Sequence, residues 1–222
     1  MKHLLTTFST VVLASTAHAQ FAVRTVDAPG SGTILNIDQA ETLLASQSTA
    51  GSGLFGVINF VGGGTDADFP GGASFPGSLG GTDEFAMEAL ARIIFNTSGT
   101  YVFQVNSDDG FRLRRDVNLD GSGGTVYSEF VNPRGPFDTD GPAITIPPAT
   151  VGFSNFRLTY FEHLGGEEIE LSYSLNGGPQ KLVGSTNDLT VQPIPEAGSF
   201  ALLGAGLAGL AVRRRVRTLS AN

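Results

Sequence analysis

The sequence predicts an all-β fold, an antiparallel β-sandwich with one short N-terminal helix. Three observations carry that prediction. Apolar residues alternate with polar ones along several short runs, glycine-rich turns separate the runs, and helix signals are scarce. Tyr101, Phe103 and Val105 share one face against Thr100, Gln104 and Asn106. Phe156, Leu158 and Tyr160 alternate with Arg157, Thr159 and Phe161, and Ile169, Leu171, Tyr173 and Leu175 alternate with Glu168, Glu170, Ser172 and Ser174.

Taken in order, Ala22–Val26 reads as a first strand. Asp38-Gln39-Ala40-Glu41 has capping-box spacing and opens a helix that runs to about Ala45. Leu54–Val61 is apolar and β-prone, a second strand. The glycine-rich stretch 51–81 reads as an irregular connection pinned to the core by Phe55, Phe60, Phe69 and Phe75. It lacks the Gly-Lys-Ser/Thr ending of a phosphate loop. Phe85–Phe95 is rich in helix formers, yet Phe85, Met87, Ala89, Ala91, Ile93 and Phe95 fall on one face of a strand, and a strand is expected there. Asp109-Gly110 is a turn signal between Gly99–Asp108 and the next strand. Leu164-Gly165-Gly166-Glu167 is expected to close a hairpin.

Both ends are processing segments, set apart from the domain at 20–192. A basic Met1-Lys2-His3, an apolar run to Thr16 and the small-x-small site Ala17-His18-Ala19 form a secretory signal peptide, with export expected through the Sec pathway. At the other end, Pro195-Glu196-Ala197 precedes a short apolar run, Phe200–Val212, and then Arg213, Arg214, Arg215 and Arg217. A short transmembrane helix is expected there, holding the protein to the membrane before processing; the run spans only if flanking residues snorkel, and the arginines would hold its end in the cytoplasm.

Five of the 13 basic residues lie in the signal and the arginine tail, whereas all 21 acids lie between them. The exported body is therefore strongly acidic, which argues against nucleic acid and anionic membrane as direct partners of the domain. It suits calcium, which prefers carboxylate oxygens. With no cysteine, the domain depends on its core, with bound metal as a possible aid.

Two constellations are candidate metal sites. Asp108 and Asp109 are adjacent carboxylates that repel one another unless a cation or a set of donors lies between them. They either ligate calcium or accept hydrogen bonds from turn amides. Asp116, Asn118 and Asp120, followed by Gly121, match the front half of a calcium loop, but the acid expected at its end is missing, and the alternative is an Asx-rich turn. Asp138 and Asp140, in Phe-Asp-Thr-Asp-Gly, could add ligands, but a polar loop is the favoured reading. Arg112, Arg114 and Arg115 form a basic cluster best explained by ion pairing. Catalytic residues are not assigned. Once the signal leaves, His163 is the only histidine, no thiol exists, and no nucleophile elbow is present.

The C-terminal residues 193–217 resemble the PEP-CTERM sorting signal, with Ala197 where the family has a second proline. The resemblance implies an exosortase as processing partner in a Gram-negative bacterium, and residence in the outer envelope, cell surface or extracellular matrix. Residues 85–174, with Gly-Thr-Tyr-Val-Phe at 99–103, Ser-Asp-Asp-Gly-Phe-Arg-Leu at 107–113 and Gly-Gly-Glu-Glu-Ile-Glu-Leu at 165–171, resemble the protective-antigen-type β-sandwich. Many members bind carbohydrate, and the lectin members hold calcium with two aspartates joined by a cis peptide; the matching positions are Asp108 and Asp109. The expectation is a non-enzymatic, calcium-dependent module for exopolysaccharide or other glycans. The alternatives are a purely structural matrix or biofilm protein and, less favoured, a polysaccharide hydrolase.

Overall fold

The computed structural model describes residues 20–28, 34–46, 48–62, 67–77, 83–148 and 152–194. The expected signal peptide with Ala17 and Ala19, the sorting residues Pro195 and Glu196, the apolar run 200–212 and the four arginines of the tail lie outside the described residues. Among the described residues no helix is long and apolar enough to cross a membrane.

Two antiparallel sheets face each other. Each is built around two long neighbouring strands, flanked by shorter strands placed end to end. In the first sheet, β4 (Phe85–Phe95) pairs with β10 (Gly152–Glu162) along its whole length. On its other edge β4 carries β1 (Phe21–Asp27) and then β13 (Leu189–Pro193). β2 (Gly51–Phe55) extends the sheet beyond β1, and β6 (Gly110–Arg115) followed by β7 (Thr125–Phe130) extends it beyond β10. In the second sheet, β5 (Gly99–Asp108) pairs with β11 (Glu167–Leu175). β3 (Asn59–Gly62) and β12 (Lys181–Leu182) flank β11, while β8 (Phe137–Asp140) and β9 (Ile144–Ile146) flank β5.

The core lies between the sheets and is markedly aromatic. The alternating residues expected from the sequence, including Tyr101, Phe103, Val105, Phe156, Leu158, Tyr160, Ile169, Leu171 and Tyr173, all reach it. Phe60 and Phe75 from the glycine-rich stretch stack on one another at 5.4 Å, and Phe75 stacks on Tyr160 at 5.6 Å. Burying each such ring is worth roughly 1.5–3 kcal/mol. This is how a largely irregular segment is held to a cysteine-free domain.

Phe85–Phe95 is a strand, because its odd-numbered face fills the core. Its other face is covered too: helix α1 (Ile37–Ser46) packs Ile37, Ala40 and Leu44 against Val26, Ala86 and Phe161. The helix is capped by Asn36 rather than Asp38. Asn36 Oδ1 accepts the Gln39 amide at 3.0 Å, and Gln39 Oε1 accepts the Leu35 amide at 2.7 Å. Asp38 and Glu41 turn instead to Arg112, at 2.8 and 2.9 Å.

Two sequence expectations are corrected. Leu54–Val61 is not one strand: β2 ends at Phe55 in the first sheet, and β3 begins at Asn59 in the second. The chain crosses between layers there. The connection Leu164–Glu167 is not a hairpin either, since β10 belongs to the first sheet and β11 to the second. The turn at Asp109-Gly110 likewise joins β5 of the second sheet to β6 of the first. Period-two patterning identifies strands and their buried faces but not the layer in which the next strand pairs, and both layers present the same apolar inner face.

Candidate ligand site at the Asp108–Asp109 crossing

The two crossings, β5 to β6 and β10 to β11, lie at the same end of the sandwich and are joined by Asp109. Its Oδ2 accepts the backbone amides of His163 at 2.7 Å and Leu164 at 3.4 Å, and its Oδ1 accepts the Arg134 amide at 2.9 Å. One carboxylate thus ties three chain segments together. The Asp108–Asp109 peptide bond is cis, as the resemblance implies. Gly110 is required for space rather than for an unusual backbone angle: a Cβ there would stand 2.4 Å from the Phe161 ring and 2.8 Å from the Phe130 carbonyl oxygen.

Asp108 differs from its neighbour. Its carbonyl accepts the Tyr160 hydroxyl, but among the described residues no donor shifts its carboxyl downward by hydrogen bonding. Burial, then Asp109 and Glu167, push the group up to about 6, against a weaker pull from Arg134. Asp109 is also raised by burial, although its three amides oppose the rise. Beneath them, Glu162 is pushed up to about 9, by burial first and then by Asp109 and others. Its Oε2 lies 2.9 Å from the Tyr160 hydroxyl, and among the described residues its Oε1 has no hydrogen-bond partner. The crossing is therefore dense in carboxyl groups and poor in positive charge.

A cleft opens beside it, lined by Phe130, Arg134, Phe137, Asp138, Thr139 and Asp140 among others, with a volume of about 720 Å³. Arg134 organises this cleft. Its guanidinium lies 4.2 Å from the Phe130 ring centre and donates to the Phe137 carbonyl at 2.7 Å and to the Ser107 hydroxyl at 3.1 Å. Phe137 is 66 % exposed and Leu164 59 % exposed. The acidic crossing thus has apolar side chains at its margin.

The other sequence candidates lie elsewhere. Asp116 follows β6, at the opposite end of that strand from Asp109, and Asn118 and Asp120 lie in the turn beyond it. The oxygens of that loop serve its own neighbours. Asp116 accepts Ser154 Oγ at 2.7 Å and pairs with Arg115, Asp120 Oδ1 accepts both the amide and the hydroxyl of Ser122, and the Asn118 side chain donates to Ser122. Asp140 lies by the cleft and accepts Gln104 Nε2 at 3.0 Å. The arginine cluster forms ion pairs, with Arg112 held by Asp38, Glu41 and Glu129, and Arg114 by Glu41. His163 pairs through Nδ1 with Glu84 at 3.0 Å. Sequence reasoning missed Arg134, Glu162 and Phe137. No local motif marks them, because their role comes from segments brought together by the two crossings.

The donor chemistry at the crossing is entirely oxygen, which fits a hard cation, and the Asp108 carboxylate, raised by burial and by its acidic neighbours, is a charge that such a cation would offset. Among the described residues no group of three or more His, Asp or Glu side chains is already arranged to hold a metal ion. An ion on Asp108 and Asp109 would therefore draw other ligands from backbone, water or a bound molecule.

Comparison with known proteins separates the two parts of the chain. Residues 193–215 match the PEP-CTERM protein-sorting motif, the signal of exosortase-sorted export to the cell surface or extracellular space. No curated protein matches the sequence. Among solved structures, the chain is similar to the PA14 domain of the antifreeze protein MpAFP, at 12 % identity and a TM-score of 0.57 over 85 % of this chain and 98 % of that one. It is similar to the PA14 sugar-binding domain of an RTX adhesin, at 16 % identity and a TM-score of 0.53 over 75 % and 95 %. It is also similar to the epithelial adhesin 6 A domain of Candida glabrata, solved with Galβ1-3GlcNAc, at 12 % identity and a TM-score of 0.57 over 82 % and 89 %. These likenesses show the fold, the PA14 or protective-antigen-type β-sandwich.

Proposed function

We propose that this protein is an exported, non-enzymatic glycan-binding module of the cell envelope or extracellular matrix, with exopolysaccharide as its ligand class and calcium as its link to the sugar. The observation that supports this most directly is the Asp108 carboxylate. It is raised by burial and by neighbouring acids, and its crossing lies beside an exposed aromatic cleft. Asp108 and Asp109 would hold the ion, which supplies a charge-neutralising centre for vicinal hydroxyls. Phe137 offers an exposed face for the apolar side of a sugar ring, and Asp138 and Asp140 offer hydroxyl acceptors. That two of the solved relatives are, by name or by contents, sugar binders agrees with this reading. The reading leaves out Asp116, Asn118 and Asp120, whose oxygens are engaged within their own loop.

A second reading, a structural matrix protein without a small ligand, is favoured by Asp109, whose carboxylate is engaged by three backbone amides. Asp108→Asn separates the two. Under the binding reading the variant folds, loses calcium heat in calorimetry, and loses glycan-array signals that the wild type shows only without chelator. If wild-type protein gives neither calcium heat nor chelator-sensitive glycan binding, the structural reading stands.

A further inference from the structure

The outer face of the β8–β5–β11 ladder carries a second collection of oxygens, which borders the Asp108–Asp109 crossing and shares Asp138 with its cleft. Asn106 stands opposite Asp138 on one side and Glu170 on the other, and Glu168 stands opposite Asp108. These positions face away from the core, which takes Val105, Ile169 and Leu171 from the same strands. Glu168 and Glu170 are nevertheless only 0 and 1 % exposed. Segment 67–77 is bonded across them: the Asp68 and Phe69 amides donate to Glu170 at 3.1 and 3.0 Å, and Asn59 Nδ2 holds the Phe69 carbonyl at 3.3 Å. Asp68 and Asp138 remain exposed and interact with each other.

Among the described residues, two oxygens inside this enclosure have no hydrogen-bond partner, Glu168 Oε2 and Asn106 Oδ1, although Asn106 is only 7 % exposed. The atoms beside them are occupied. Asn106 Nδ2 donates to Glu168 Oε1 at 2.7 Å and reaches Glu170 Oε2 at 3.5 Å. With its nitrogen committed to β11, the Asn106 oxygen is left for the β8 side, where Asp138 stands. Bare buried oxygens are uncommon in folded proteins, and an ion is one of their ordinary explanations. The charges that bear most on Glu168 are all acidic: Glu170, Asp68, Asp108 and Asp138. Arg134 acts on Asp108 and Asp138 instead.

We propose that this enclosure is a second cation site, for a hard divalent ion, and that it fastens segment 67–77 to the sheet. Glu168 Oε2 and Asn106 Oδ1 are its direct protein ligands, and Asp68 and Asp138 act from the solvent side through water. A largely hydrated ion agrees with the absence of a ready-made cage of three acidic or imidazole ligands among the described residues. Both calcium and magnesium accept water within an oxygen shell.

The full exported protein, stripped with chelator, is titrated by calorimetry with calcium and separately with magnesium, while hydrogen exchange follows the amides of 67–77. The expected result is a class of sites that Glu168→Gln and Asp138→Asn each weaken tenfold or more and that Asp109→Asn leaves intact. Exchange at 67–77 slows with ion in the wild type but not in Glu168→Gln. The calcium and magnesium arms identify the ion. Because Asp138 is exposed, its variant folds even if Glu168→Gln does not. Unchanged affinity in both variants overturns the proposal, as does a single ion lost equally in all three. If only the Asp109-independent class is found, the Asp108–Asp109 reading falls and this one stands.

Discussion

Strand β6 has an aspartate-rich turn at each end, and the two behave in opposite ways. At its start, Asp108 and Asp109 are buried among other carboxyls and backbone amides. At its end, Asp116–Asp120 form a loop whose oxygens are satisfied by Ser122, Ser154 and Arg115, and Asp120 is lowered by the Ser122 hydroxyl and amide. The composition is alike; the surroundings differ. A six-residue strand separates the turns by about 20 Å, so the first lies where two chain crossings pack together and the second projects from the sheet. Burial without matching positive charge turns an Asx turn into a place where a cation has something to offset.

The sharpest way to break this comparison is Asp109→Ala, which leaves three amides at the crossing without their acceptor. The expected loss is about 3 kcal/mol in chemical unfolding; a loss as small as a surface substitution gives would show that the carboxylate does not join the crossings. Gly110→Ala comes next, at about 2 kcal/mol, because the added carbon meets the Phe161 ring and the Phe130 carbonyl. That corresponds to a fall of several degrees in melting temperature.

A pH series in chelator probes the buried acids together. Asp108, Glu168 and Glu162 rise to about 6, 8 and 9 in the folded protein. Between their ordinary carboxyl range and these values, the folded state binds more protons than the unfolded one. Their contribution is therefore fully present in acid and is lost as pH rises through the folded values. The metal-free melting temperature should fall between pH 5 and pH 9, about the range these raised values span, and added calcium should restore most at the alkaline end. A rising curve would mean that the acids are already compensated. The smallest effect is expected for Asp120→Ala, which should leave both melting temperature and calcium heat unchanged, because its carboxylate is fully solvated and bonds only within its own loop.

Much of the fold was legible because alternation is local. The faces of β5, β10 and β11 follow from residues two apart, and even the helix-forming stretch of β4 yielded to its period-two face. The cap was misplaced by two residues because Asn36 and Asp38 both satisfy the capping preference, and only the demand of Arg112 for acidic partners separates them. The Asp108–Asp109 pair was visible as two adjacent charges, and a turn-amide role was one of its two readings. The particular amides of His163, Leu164 and Arg134 were not visible, nor was Glu162 beneath the pair, since those residues are 25 to 55 positions away in the chain.

The sequence by itself determined the sorting segment, the acidity of the chain between its two ends, and the strand and core-facing side of β4, β5, β10 and β11. Each of these depends on composition or on neighbours within a few residues. Tertiary structure alone decided that the two glycine-marked turns are crossings between sheets rather than hairpins, and that Asp109 is the tie between them. The reason is physical: two sheets with equivalent apolar inner faces can each accept the next strand, and only the packing of the whole sandwich selects one.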